Sequence, residues 1–176
     1  MENSEKIINP IWVIINIKTG RLLNSNKKFT NITYDGWIDT LPNKKLEYSG
    51  DAALIKYDEK KLTTTVIRDY FGIHQVFYVI KNNKVHISTS ITGLVQSGLK
   101  IKPSVKKNIL FVASHYRYFE FPENSSFFED VYSLRPGECL IVKNGKITKK
   151  KHFSVKIIKS YEKYEMKELE KFTSNY

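Results

Sequence analysis

Between residues 50 and 90 the chain alternates apolar, β-branched runs with short turn signals, and this pattern constrains the fold more than any other. Ala52 to Tyr57 and Leu62 to Arg68 are two such runs, joined by the charged connection Asp58-Glu59-Lys60-Lys61. Gln75 to Ile80 and Lys84 to Ser88 flank Asn82-Asn83, whose amide side chains tolerate the positive φ of a tight hairpin turn. Strands separated by so few residues pair most simply with their sequence neighbours, so two antiparallel hairpins are predicted here. Further on, Pro136-Gly137 turns the chain into a strand from Cys139 to Lys143, and Asn144-Gly145 predicts a type I′ turn before a partner over Lys146 to Phe153.

The flanking segments fill in the class. Ile11 to Ile17 reads as a buried strand that enters a hairpin at Thr19-Gly20. Phe29 to Tyr34 and Trp37 to Thr40 read as short strands with Asp35-Gly36 as the turn between them. Ser90 to Gln96 is a short helical segment. Pro103-Ser104 opens another that runs to about Tyr116, with Pro at or near the first helical position. Val105, Ile109, Val112 and Tyr116 give that helix an apolar stripe, read as a face packed on the body of the domain. From about Tyr161 to Phe172 Glu and Lys alternate at helix-compatible spacing, with Met166, Leu169 and Phe172 as apolar contacts.

Composition narrows the function classes. A chain of 176 residues, 41% hydrophobic, suits one domain with its own core. No apolar run approaches the roughly 18 to 20 residues of a membrane helix, and Met1 to Lys6 has no basic cluster ahead of an apolar run. The expectation is a cytoplasmic protein with no membrane partner. One cysteine, Cys139, rules out an intrachain disulfide and any metal site built on several thiolates. The net charge of +11 is carried mostly by lysine and is read as solvated surface, so nucleic acid is not the expected partner.

The segment Arg68-Asp69-Tyr70-Phe71-Gly72-Ile73-His74-Gln75-Val76-Phe77-Tyr78 is similar to the Arg-Asp-x-x-Gly-x-x-Pro-Leu-Tyr-Tyr stretch of the asparagine synthetase family's front domain. Ile87 to Leu94 stands where that family has a strand-to-helix Ala-Ser-Glu stretch. Ser126-Phe127-Phe128-Glu129-Asp130-Val131-Tyr132-Ser133-Leu134-Arg135-Pro136-Gly137 resembles the family's Thr-x-Phe-x-x-Ile-x-x-Leu-x-Pro-Gly, and the hairpin around Asn144-Gly145 and Phe153 complete the order. The resemblance implies an α+β fold, a trimmed αββα sandwich of the N-terminal-nucleophile hydrolase type with two mainly antiparallel sheets and flanking helices. It also implies a domain over residues 1–155 and, over 156–176, a helix that connects to a synthetase domain.

In that family the front domain hydrolyses glutamine with a cysteine at residue one of the processed chain, whose own amine acts as base. Here residue 2 is Glu2, and no counterpart is found for the family's His-Arg-Gly-Pro-Asp loop, its Asn-Gly-Glu-Ile-Tyr-Asn segment or its pocket aspartate. Cys139 opens an apolar strand with no histidine nearby in sequence and is read as a buried structural thiol. His74, His86, His115 and His152 fall on separate elements without metal-ligand spacing. No catalytic, cofactor-binding or metal-binding residue is therefore assigned, and glutamine hydrolysis is not expected. The motif residues Arg68, Asp69, Gly72, Phe77, Tyr78, Leu134, Pro136 and Gly137 are assigned to a family turn or to an interface. Arg68 and Asp69 have two readings: an ion pair that pins the turn, or a contact with a synthetase domain. The aromatic cluster Tyr116, Tyr118, Phe119 and Phe121 is read as core or interface.

The resemblance implies a non-catalytic amidotransferase-like domain of an ATP-dependent amide ligase, serving as scaffold or partner to an adenylating synthetase domain or subunit. That partner would hold the ATP and magnesium and would use an amine supplied directly, as in relatives that close β-lactam or lasso-peptide rings. A regulatory or binding module for a peptide or nucleic acid on the same fold is the alternative, and a homo-oligomer is compatible with both.

Overall fold

A computed structural model describes residues 10–27, 32–40, 46, 49–114 and 125–153. Its strands are β1 (Trp12–Asn16), β2 (Leu22–Ser25), β3 (Ile32–Thr40), β4 (Ser49–Asp58), β5 (Thr63–Ile67), β6 (Phe77–Lys81) and β7 (Lys84–Ser88), followed by β8 (Tyr132–Ser133), β9 (Glu138–Lys143) and β10 (Lys146–Lys151). Helices α1 (Ile91–Gln96) and α2 (Val105–Ala113) lie between β7 and β8. The strands form two five-stranded sheets, ordered β2-β1-β7-β6-β8 and β10-β9-β5-β4-β3, and every pairing is antiparallel.

Period-two burial explains why the sheets stack. In β1, Val13 and Ile15 are buried while their neighbours are half-exposed, and Val85 and Ile87 of β7 continue the same apolar face. Opposite them stand Ala53 and Ile55 of β4, Val66 of β5, and Leu140 and Val142 of β9, all in one buried cluster with the first sheet's residues. The core therefore sits between the sheets, as a sandwich requires. The outer face of the first sheet is covered by α1: Leu94 packs with Val79, Leu99 and Val131. On the outer face of the second sheet Leu54, Ile67 and Cys139 are buried with Tyr70 and Ile141 beside them. This α+β arrangement of two antiparallel sheets is the expected fold class and is compatible with a trimmed N-terminal-nucleophile-type sandwich.

The predicted hairpins form at their turns. Asn82 and Asn83 have φ of 49° and 57°, and Asn144 and Gly145 have 48° and 77°, the left-handed pair that a type I′ turn needs. Helix α1 starts where Ser90 Oγ accepts the Gly93 N–H at 3.0 Å.

Two expectations are corrected. Asp35-Gly36 is not a turn: β3 runs unbroken through it, with Asp35 opposite Ala53 and Gly36 opposite Ala52. Gly36 holds φ +117° inside the strand, and a Cβ there would stand 2.6 Å from the ring nitrogen Nε2 of His74, so glycine serves a close approach rather than a reversal. The stripe of α2 does not pack. Val105, Ile109 and Val112 are 57 to 68% exposed, and no residue of the helix is buried. The helix is held instead by Asn108, whose amide donates to the carbonyls of Ser104 and Phe127, and by Phe111, whose ring meets Phe127 edge-on at 5.0 Å. Pro103 precedes the N-cap Ser104 and bridges to Phe128 rather than starting the helix. Tyr116, the aromatic cluster up to Phe121, residues 29–31 of the strand expected over Phe29 to Tyr34, and the connecting helix after residue 155 lie outside the described residues, while Ile32 to Tyr34 form the start of β3.

Leu140 is fully buried between the sheets. Leu140→Ala is expected to lower unfolding free energy by about 2–5 kcal/mol in urea titration, because it removes apolar contact and leaves a cavity. A loss under about 1 kcal/mol would mean that this position is not in the common core.

Candidate functional site

The chain leaves the second sheet at the end of β5 and enters the first at the start of β6, and the motif residues occupy that crossing. Asp69 is 1% exposed, so its carboxylate must find donors inside the protein. It finds three main-chain amides: Oδ1 accepts from Phe71 at 3.1 Å and Ile73 at 2.9 Å, and Oδ2 accepts from His74 at 2.8 Å. The loop thus closes around its own first carboxylate. The Asp69 carbonyl then accepts the Gly137 N–H at 2.9 Å, which ties the loop to the Pro136-Gly137 turn ahead of β9.

Arg68 makes the complementary set. Its Nε donates to the His74 carbonyl at 3.0 Å, Nη2 to Gly72 at 2.7 Å, and Nη1 to Leu134 at 2.5 Å. The first two close the same loop from its carbonyl side, and the third reaches the residue that follows β8. Charge-assisted bonds to three fixed carbonyls hold the guanidinium in one pose. Burial lowers the Arg68 pKa, while the charges of Asp69 and Glu138 act the other way.

Arg68 and Asp69 pin the turn, but not as an ion pair with each other. Among the described residues the ion pair within 4.0 Å is Lys61 with Asp58, and Arg68 and Asp69 each spend their charge on main-chain groups instead. Their opposite chemistry is the reason: the carboxylate collects the loop's N–H groups and the guanidinium collects its C=O groups. Gly72 makes room for this with φ +73°, since a Cβ would stand 3.0 Å from Nη2 of Arg68 and 2.6 Å from Cγ of Pro136.

Six of the eight motif residues, Arg68, Asp69, Gly72, Leu134, Pro136 and Gly137, therefore meet at one joint. Phe77 and Tyr78 follow on β6 and diverge by strand alternation: Phe77 packs toward the α1 side and Tyr78 into the core between the sheets. Tyr78 stacks on Tyr132 at 5.5 Å, and burial first, then Glu138 and Tyr132, pushes its phenol up to about 12.

His152 is a member of the joint that the motif comparison did not single out. Its Nε2 lies 2.9 Å from the Arg68 carbonyl, its backbone N–H donates to Gly137, and its ring stands 5.5 Å from that of Tyr70. Contacts distant in sequence reveal it, the one to Arg68 across 84 positions. The joint also presents two apolar side chains outward, Phe71 and Ile73, 76% and 61% exposed.

Chemically the joint builds shape. The side-chain hydrogen bonds of Asp69 and Arg68 all go to main-chain atoms. The one cysteine of the sequence, Cys139, is 1% exposed on β9 and faces the outer side of the second sheet among Leu54 and Ile67. Burial raises its thiol pKa, which works against the thiolate a nucleophile needs. Among the described residues no cluster of three His, Cys, Asp or Glu side chains could hold a metal ion, and no helix is long and apolar enough to cross a membrane.

Comparison with known proteins bears on this joint directly. A family described as "Glutamine amidotransferase domain" matches residues 42–153, a stretch that contains every motif residue and ends where Phe153 donates its N–H to Gly137. The chain belongs to the glutamine amidotransferase domain family. It is also similar to amidase chry2 of Gibberella zeae, at 29% identity over 92 residues, or 52% of this chain. The chain spans 13% of that relative's length.

Asp69→Ala would leave three loop amides without their shared acceptor. An unfolding free energy lower by about 2–4 kcal/mol in urea titration is expected. Asp69→Asn should cost less because it keeps one acceptor oxygen. A change under about 0.5 kcal/mol for Asp69→Ala would mean that the loop holds its shape without the carboxylate.

Proposed function

We propose that this chain is the non-catalytic glutamine-amidotransferase-like domain of an asparagine synthetase-type, ATP-dependent amide ligase, and that it serves as scaffold for an adenylating synthetase domain or subunit. The observation that carries the reading is the contrast within one family domain. The motif joint is fully assembled, while the single thiol is buried on the wrong side of a sheet with a raised pKa. An amidotransferase domain without a usable thiol can contribute surface and shape but not ammonia from glutamine.

The expected ATP and magnesium belong to the partner in this reading. The described residues of this chain do not fit them, since they offer no cluster of carboxylates for a divalent cation. The scaffold role falls to the joint, whose fixed backbone holds Phe71 and Ile73 outward where a synthetase domain could cover them. The similar Gibberella zeae protein is named an amidase, which fits a family that works on amide bonds, and a cytoplasmic setting is part of the same proposal.

The test is release of ammonia from glutamine by the purified chain, followed by a coupled glutamate dehydrogenase assay. The expected rate equals that of the protein-free control. Release above it that disappears in Cys139→Ser would overturn the non-catalytic reading. Co-elution with an adenylating protein that is lost in Phe71→Asp/Ile73→Asp, at unchanged thermal stability, would support the scaffold role.

A further inference from the structure

The strands of both sheets run between two ends of the sandwich, and the end away from the motif joint concentrates lysine. Two hairpin turns meet there. The Ile17 N–H donates to the Asn83 carbonyl at 3.0 Å, and the Gly145 N–H donates to the Ile17 carbonyl at 3.1 Å, so one residue bridges the β6–β7 turn of the first sheet and the β9–β10 turn of the second. Each of these turns is flanked by two lysines directly opposite one another, Lys81 with Lys84 and Lys143 with Lys146. Like charges at directly opposed positions destabilise a strand pair. Four exposed ammonium groups held this way oppose folding, and local rules broken in this manner point to function.

The surroundings strengthen the field. Lys18 and Arg21 lie in or beside the β1–β2 turn, which is bonded to the same place through Ile17. The carboxylates of the adjoining β4–β5 turn are Asp58 and Glu59, and Asp58 already faces Lys61 at 3.7 Å. His86, two residues along β7 from Lys84, has its pKa lowered by burial first and then by Lys84 and Lys81.

The basic end continues along β10. That strand is the last of its sheet, so one side of its ladder is unpaired among the described residues, and Lys149, Lys150 and Lys151 are exposed on it. Lysines on an edge strand normally deter pairing, and in a chain of net charge +11 they deter pairing with a second copy. For a strand rich in carboxylates the same lysines attract. Nucleic acid would use only the charges: seven of the eight cations at this end and its adjoining turn are lysines rather than the forked arginines that grip phosphate. A ladder side unpaired among the described residues, by contrast, is of use only to another polypeptide segment.

We infer that the basic end of the sandwich, with the β10 edge, binds an acidic extended segment of a partner protein by strand addition. This inference does not rest on the scaffold reading, which concerns Phe71 and Ile73 at the motif joint.

Fluorescence anisotropy of the full chain with a labelled peptide alternating Glu and Thr tests it. Binding at low salt that weakens as salt rises is expected, together with a loss of about tenfold in Lys81→Glu/Lys143→Glu. The same variant turns both like-charge pairs into opposite-charge pairs, so its Tm should rise while its affinity falls, which a purely structural role for these lysines would not produce. Lys100→Glu/Lys102→Glu, outside this end, should leave binding unchanged. A peptide methylated at alternate backbone nitrogens should bind more weakly, because it cannot pair with β10. No binding at low salt, equal binding of the methylated peptide, no effect of Lys81→Glu/Lys143→Glu, or tighter binding of duplex DNA or single-stranded RNA would each overturn the inference.

Discussion

The buried carboxylate of Asp69 is the group on which the arrangement of the two sheets depends. A charge with 1% exposure is tolerated only if fully hydrogen-bonded, and three main-chain amides within 3.1 Å meet that condition. The loop from β5 to β6 therefore has one low-energy shape, and Arg68 reinforces it from the carbonyl side while reaching Leu134. Through Gly137 and His152 the same joint holds the start of β9 and the end of β10. Both sheets are thus fixed at one end by side chains that bond to backbone rather than to each other.

The family motif acts in this fold through hydrogen bonds to the main chain. The residues of the motif set the angle and register at which one sheet crosses to the other, and that requirement is independent of any nucleophile. Cys139 illustrates the separation: it belongs to the same region of β9, opposite Ile67, yet packs as a small apolar side chain. The glutamine amidotransferase domain family supplies the architecture here, and the opposite end of the sandwich carries the unbalanced charge.

Local signals in the sequence were legible wherever the physics is local. Asn82-Asn83 and Asn144-Gly145 predicted their turns because positive φ selects those residue types, and Ser90 marked the start of α1 because its hydroxyl can cap the helix. Asp35-Gly36 misled because glycine serves turns and close approaches alike, and only the position of His74 distinguishes them. The stripe of α2 misled because apolar spacing shows that a face exists, not which face is covered; Asn108 and Phe111 decided that through contacts with Phe127. In the candidate site Arg68, Asp69 and Gly72 were legible as a group, but their partners were not. The bond from Arg68 to Leu134 spans 66 positions, and the one from His152 to Arg68 spans 84. The clustering of lysines was likewise invisible, because four distant turns share one end only once the sheets have stacked.

Native-state hydrogen exchange at the amides of Ile73, His74 and Gly137 tests the central claim most directly. If the Asp69 joint fixes the sandwich, these loop amides open only with the global unfolding and exchange with the same free energy as Ile87 and Leu140 in the core strands. Exchange at the rate of an unprotected loop, while Ile87 and Leu140 stay protected, would contradict it.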